Sequence, residues 1–112
     1  MSARVRLARL AEQVLASSDA VSATAGNGPR WATADGDHTI EGIVVAETAL
    51  GELDVELHVV ADWPPEPLER LAAHLRGELR RSASNAGLAE RLGETHVAIH
   101  DIRVPEQDAQ AR

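Results

Sequence analysis

The fold of this chain is decided by residues 51–104, GELDVELHVVADWPPEPLERLAAHLRGELRRSASNAGLAERLGETHVAIHDIRV. Apolar and polar residues alternate from Glu52 to Ala61, the period-two pattern of a strand that is buried on one side only. The apolar phase holds Leu53, Val55, Leu57, Val59 and Ala61, and the polar phase holds Asp54, Glu56 and His58. The sequence therefore predicts a sheet with one polar face.

A helix is predicted next. Pro64, Pro65 and Pro67 stop the strand, and apolar residues then recur at helical spacing: Leu68, Leu71, Ala72, Leu75 and Leu79. The pattern weakens after Ser82 and resumes from Leu88 to Gly93. This second part fits a kinked helix and a helix followed by a short helical turn equally well.

Glu94 to Val104 is predicted as the last strand. Its apolar residues change phase, since Val97 and Ile99 share one phase whereas Ile102 and Val104 share the other. A bulge or strand end near His100 would explain this change, because one extra residue moves all later side chains to the opposite face.

The N-terminal half supplies the remaining elements. A first helix is predicted from the apolar stripe Leu7, Leu10, Ala11, Val14 and Leu15, with Arg9, Glu12 and Gln13 facing outward. Ala20 to Ala23 is a candidate short strand, and Gly26-Asn27-Gly28-Pro29 is a loop signal. Arg30–Ala34 and His38–Val45 then form a predicted hairpin around Asp35-Gly36, a pair that suits the positive φ angles of a tight primed turn.

These elements predict a single α+β domain over residues 1–104: a small mixed sheet with two helices packed on one face, in the order α-β-β-β-α-β. The length of 112 residues and the 44% hydrophobic content suit one domain with a real core. Residues 105–112 have no apolar pattern and are expected to be a flexible tail.

Composition bounds the compartment and the chemistry. The chain has no cysteine, which excludes disulfides and thiolate zinc sites and fits a reducing compartment. No segment approaches the roughly 20 apolar residues of a membrane span. We therefore expect a cytoplasmic protein without a membrane span, whose membrane contact would be peripheral, at the inner face of the membrane.

Charge is distributed unevenly. The net charge is −7, which opposes nonspecific binding to nucleic acid, and nine acidic residues but no arginine lie between Asp35 and Glu66. All 11 basic residues are arginine, and seven of them lie on the predicted helices: Arg4, Arg6, Arg9, Arg70, Arg76, Arg80 and Arg81. The strands and turns are thus predicted to be acidic and the helix surfaces basic.

The order of elements and four segments resemble the alkaline shock protein family. The segments are Arg30-Trp31-Ala32-Thr33, Ile40-Glu41-Gly42-Ile43-Val44-Val45, Val55-Glu56-Leu57-His58-Val59-Val60 and Val97-Ala98-Ile99-His100-Asp101-Ile102. The resemblance covers about residues 5–104 and implies a non-enzymatic protein of the bacterial cell-envelope stress response, held in some members beneath the membrane by a membrane-anchored partner. Relatives often carry basic residues at the hairpin tip, where this chain has Asp35-Gly36-Asp37-His38.

Histidines suggest one further site. If the strands of His58 and His100 are neighbours, then His58, His96 and His100 could share the polar face with Asp54 and Glu56. Imidazoles together with carboxylates are plausible ligands for zinc or nickel. A solvated or partner-facing surface is the simpler interpretation, because no local spacing of histidines fixes a ligand geometry. We therefore predict no metal, no cofactor and no catalytic residues.

The preferred function is a non-catalytic structural or scaffold protein of the bacterial envelope stress response, acting through self-assembly or a membrane-anchored partner. Partner contacts are predicted at Arg70, Arg76, Arg80, Arg81, Asp54, Glu56, His58 and Trp63. The alternative is a small nucleic-acid-associated regulator that uses the helix arginines, although no aromatic pair offers a stacking platform for bases. An enzyme ranks third.

Overall fold

The computed structural model describes residues 2–26, 30–63 and 67–104. Its elements are α1 (Ala3–Ala16), β1 (Val21–Thr24), β2 (Ala32–Asp35), β3 (His38–Glu41), β4 (Ile43–Glu47), β5 (Leu53–Asp62), α2 (Leu68–Asn85) and β6 (Leu92–Arg103). The predicted α+β class is confirmed. The order also agrees, with β1 as an additional strand and with the predicted strand His38–Val45 divided at Gly42 into β3 and β4. The predicted tail 105–112, most of the predicted loop 26–29 and the first two prolines after β5 lie outside the described residues.

β5 is the central strand of the main sheet. Its residues 53–57 pair antiparallel with β4 and its residues 59–61 pair antiparallel with β1, while β6 pairs with it in parallel along its whole length. Because a strand has only two edges, β1 and β4 must lie end to end along the edge opposite β6. β2 and β3 form a separate two-stranded hairpin.

The hydrophobic core lies between the main sheet and the two helices. The predicted apolar phase of β5 is confirmed, since all five of its side chains are at most 1% exposed: Leu53, Val55, Leu57, Val59 and Ala61. In α2, Leu71, Leu75 and Leu79 are fully buried. Leu68 was predicted to share this stripe but is 44% exposed, because α2 begins at this residue and its side chain lines a cleft beside β6.

The hairpin loop and the start of β6 both differ from the prediction by a few residues. Asp35 pairs with His38, so the hairpin loop is Gly36-Asp37, and Gly36 alone has positive φ there, at 61°. Glycine at the first loop position is typical of a type II′ turn. After α2, Gly87 has φ 76° and ends the helix, and β6 then begins at Leu92, which was expected to belong to a helical segment.

Gly42 joins the hairpin to the main sheet. Its φ is 79°, and a Cβ atom built there would lie 2.5 Å from the Thr24 Cβ atom and 3.0 Å from the His58 carbonyl oxygen. Only glycine accepts this conformation and this close approach without strain.

Neither of the helices in the described part of the chain has the length and apolar character needed to cross a membrane.

Candidate interaction surface

A bulge in β6 lies at His100, on the open face, by which we mean the sheet face opposite the helices, which carries Glu56, His58, Ala98 and His100. Val59 pairs with Ile99 and Val60 pairs with Asp101, so His100 is the extra residue between them. Of the two predicted explanations for the phase change near His100, a bulge and a strand end, the bulge is therefore confirmed, since β6 continues to Arg103. It allows Ile99 and Ile102 both to pack against the core although they are three positions apart in the sequence.

Trp31, His58 and His100 form a stacked cluster on the open face. The ring centroids of Trp31 and His58 are 4.6 Å apart with an interplanar angle of 7°, and those of Trp31 and His100 are 4.3 Å apart. His58 is only 6% exposed in spite of its polar strand phase, because the other two rings cover it. The prediction of a polar face is thus modified at its centre, where a histidine is buried.

Hydrogen bonds connect the same cluster. His58 Nδ1 lies 2.9 Å from His100 Nε2, and His58 Nε2 lies 3.1 Å from Glu56 Oε1. A neutral imidazole has one donor and one acceptor nitrogen. Both distances are satisfied when His58 Nε2–H donates to Glu56 and His100 Nε2–H donates to His58 Nδ1.

The backbone holds His58 in place. Its N–H donates to the Gly42 carbonyl at 2.8 Å, its carbonyl accepts from the Ala25 N–H at 2.8 Å, and the Gly42 N–H donates to the Trp31 carbonyl at 2.6 Å. Gly42 thus bonds to both Trp31 and His58, and this junction holds the Trp31 ring against the His58 ring. No local signal in the sequence connects Trp31 to His58, which lies 27 positions away.

The structure brings together only part of the predicted histidine site. His96 lies 3.3 Å from Glu94 rather than in the cluster, and Asp54 accepts a hydrogen bond from the Glu94 N–H at 2.9 Å. Within residues 2–26, 30–63 and 67–104, no group of three or more histidine and acidic side chains has a geometry suited to a metal ion.

The outer edge of β6 is the second feature of the surface. Among the described strands β6 pairs with β5 alone, as β1 and β4 do, but its core-side residues are less buried than those of β4. Its core-side residues Val97, Ile99 and Ile102 are only partly buried, although the β5 residues that pair with them are 0% exposed. A cleft of about 240 Å³ lies at this edge, lined by Leu68, Ile99, His100, Asp101 and Ile102.

Two exposed hydrophobic side chains lie at one end of this edge, although the most exposed one, Leu50, lies in the turn between β4 and β5. Asp62 pairs with Arg103, so the residues that follow them, Trp63 and Val104, lie at the same end of the sheet. Trp63 is 47% exposed and Val104 is 52% exposed. Large apolar side chains that remain exposed beside an unpaired strand edge are typical of a protein-binding surface.

The predicted arginine sites lie elsewhere, on the helices. Arg70, Arg76 and Arg80 are exposed on α2, and Arg81 contacts Glu78 at 2.7 Å. Arg9 was predicted to face outward but binds the hairpin tip: its guanidinium donates to Asp35 at 2.8 and 3.2 Å and to Glu12 at 3.0 Å. These hydrogen bonds, above all those to Asp35, raise the pKa of Arg9 above its ordinary value.

No protein-family model matches this chain, and searches of curated proteins and of solved structures found no match either. The functional interpretation therefore depends on the geometry described above and on the resemblance noted from the sequence.

Proposed function

We propose that this chain is a non-catalytic scaffold domain that binds other proteins through the outer edge of β6. In keeping with the resemblance to alkaline shock proteins, it would act in the bacterial cell-envelope stress response, by self-assembly or by binding a membrane-anchored partner beneath the membrane.

The outer edge of β6 is the observation that supports this proposal. A free strand edge presents unpaired N–H and C=O groups, which natural proteins either protect or use as interfaces. Here the edge belongs to a strand of 12 residues and is bordered by incompletely buried apolar side chains. These are the features that a strand from another protein chain would cover.

Site-specific photo-crosslinking in the native cells tests this proposal. A photo-reactive amino acid at Ala98, on β6, should form crosslinks to protein, whereas the same group at Ala46 should not. Ala46 is the matched control because it is exposed on the open-face side of β4, where it pairs with Asp54 across the other flank of the sheet. Crosslinks of equal yield at both positions, or at neither, would contradict the proposal.

A second candidate, binding to nucleic acid, is favoured by the exposed arginines of α2, Arg70, Arg76 and Arg80. Polyanion binding of this kind weakens steeply as salt is raised, because cations are released from the phosphates. Submicromolar RNA binding at physiological ionic strength, lost when Arg76 and Arg80 are both changed to Glu, would favour this candidate over the scaffold.

A further inference from the structure

We infer that the partner of β6 is β6 of a second copy of this chain, paired antiparallel about a two-fold axis at Ala98. This inference rests on the proposed function and names the partner. The two sheets would become one continuous sheet, with the helices of both copies on one side and both open faces on the other.

The direction of the backbone groups supports this register. The N–H and C=O groups of His58 point to Gly42 and Ala25, away from β6. Because backbone groups alternate along a strand, those of Leu57 and Val59 point toward β6 and bond Ala98, which is the residue opposite His58. The backbone groups of Val97 and Ile99 therefore point to the outer edge, which no described strand pairs with and where each can bond a second strand.

An axis at Ala98 then satisfies the geometry of an antiparallel ladder. Val97 of one copy meets Ile99 of the other as a hydrogen-bonded pair, and the two Ala98 residues meet as a non-hydrogen-bonded pair. Beyond the bulge at His100, the same register pairs Thr95 with Ile102. Each of these residues meets one that faces the same side of the sheet, as the β5 register shows.

Side-chain chemistry is complementary in this register. On the helix side, the partly buried Val97, Ile99 and Ile102 of each copy would cover those of the other. On the open face, Glu94 meets Arg103 and His96 meets Asp101, so that each charged residue at the edge faces an opposite charge or a histidine. Two-fold interfaces need such a self-complementary patch.

Disulfide crosslinking tests the register directly, since the chain has no native cysteine. In the full chain, Ala98→Cys should oxidise to a covalent dimer, because Cα atoms of such a pair are about 4.5 Å apart and lie within disulfide range. His96→Cys is the matched control, because its two copies would lie about 13 Å apart, four residues along the strands. A monomeric Ala98→Cys protein, or equal crosslinking of the control, would overturn the inference.

A charge exchange gives a second test that leaves Ala98 intact. Glu94→Arg alone should raise the dissociation constant of the dimer about tenfold, because two attractive pairs become repulsive. Adding Arg103→Glu should restore the wild-type constant, measured by sedimentation at low salt with the fold checked by circular dichroism. A double variant that is no better than the single one would contradict the register.

The two proposals fail separately. If the protein photo-crosslinks formed from Ala98 contain other proteins but no second copy, and Ala98→Cys stays monomeric, then the scaffold function stands and the self-pairing is wrong. If position 98 forms no protein crosslinks in cells while Ala98→Cys dimerises readily, the self-pairing stands as a property of the purified protein and the scaffold function is wrong.

Discussion

The two flanks of β5 are built differently. On one flank β1 and β4 meet end to end, and Gly42 is confined between Thr24 and the His58 carbonyl with no room for a Cβ atom. On the other flank lies β6 alone, held by a parallel ladder with a bulge at His100. Both flanks end at edge strands, but the hairpin lies beside the first, where Thr33 of β2 donates a hydrogen bond to the Ile43 carbonyl of β4. We call this first flank the closed flank.

This difference shows what determines burial in a small sheet. Val59 and Ile99 are paired neighbours below the same helical layer, yet Val59 is 0% exposed and Ile99 is only partly buried. Val59 has strands on both sides, whereas Ile99 has a described strand on one side only. A missing strand does not expose side chains by itself, since Ile43 and Val45 of β4, which also pairs with β5 alone, are at most 4% exposed. There the hairpin lies beside β4, and Thr33 of β2 donates a hydrogen bond to the Ile43 carbonyl.

The largest effect should come from the centre of β5. Leu57→Ala should lower the free energy of unfolding by about 2–5 kcal/mol, because it leaves a cavity in a fully buried site. Ile99→Ala on β6 should cost less than about 2 kcal/mol, because part of its side chain is already in contact with water. Urea unfolding at low protein concentration measures both losses of stability. Equal losses would show that the side chains of β6 are as fully buried as those of β5.

The closed flank can be tested at its glycine. Gly42→Ala should cost about 1–2 kcal/mol for its left-handed backbone and about 1–3 kcal/mol more for the contact with Thr24. Gly36→Ala is the matched control, since Gly36 also has positive φ but has nothing within 4 Å of a built Cβ atom. It should show the backbone effect alone in thermal unfolding. A Gly36 variant as unstable as the Gly42 variant would mean that the junction is not crowded.

The cluster on the open face should contribute less. His100→Ala removes the hydrogen-bond partner of His58 Nδ1 and should cost about 0.5–1.5 kcal/mol, as expected for one such bond. His96→Ala, at an exposed position on the same strand, should be nearly neutral. The comparison requires unfolding curves for both single variants, and a larger loss for His96 would show that the wrong histidine has been assigned to the cluster.

The smallest effect concerns the hairpin tip, where Asp35 contacts Arg9 of α1. Asp35→Asn should lower stability by about 0.2–1 kcal/mol, because its ion pair with Arg9 is partly exposed, and the loss should shrink as salt is added. Asp37→Asn serves as the control at the neighbouring exposed position. If both variants lose the same stability at every salt concentration, the ion pair does not hold the hairpin.

Sequence reasoning succeeded wherever the signal was periodic. The phase of β5 was predicted, and so was the change of phase near His100, with a bulge as one of its two explanations, because a buried face repeats every second residue and an extra residue reverses the repeat. It was less accurate at turns, where the loop moved from Asp35-Gly36 to Gly36-Asp37. Sequence reasoning also placed Arg9 in solvent, because its partner Asp35 lies 26 positions away and no local pattern connects the two residues.

The amino-acid sequence by itself thus determined the α+β class, the side of β5 that faces the helices and the place near His100 where the phase of β6 changes, since these depend on neighbouring residues along the chain. The tertiary structure alone decided that Trp31 covers His58, that Gly42 joins two strands on one flank of β5, and that the core-side residues of β6 stay partly exposed whereas those of β4 are buried. The physical reason is that alternation records only which way a side chain points. Which strand lies beside it depends on the path of the whole chain.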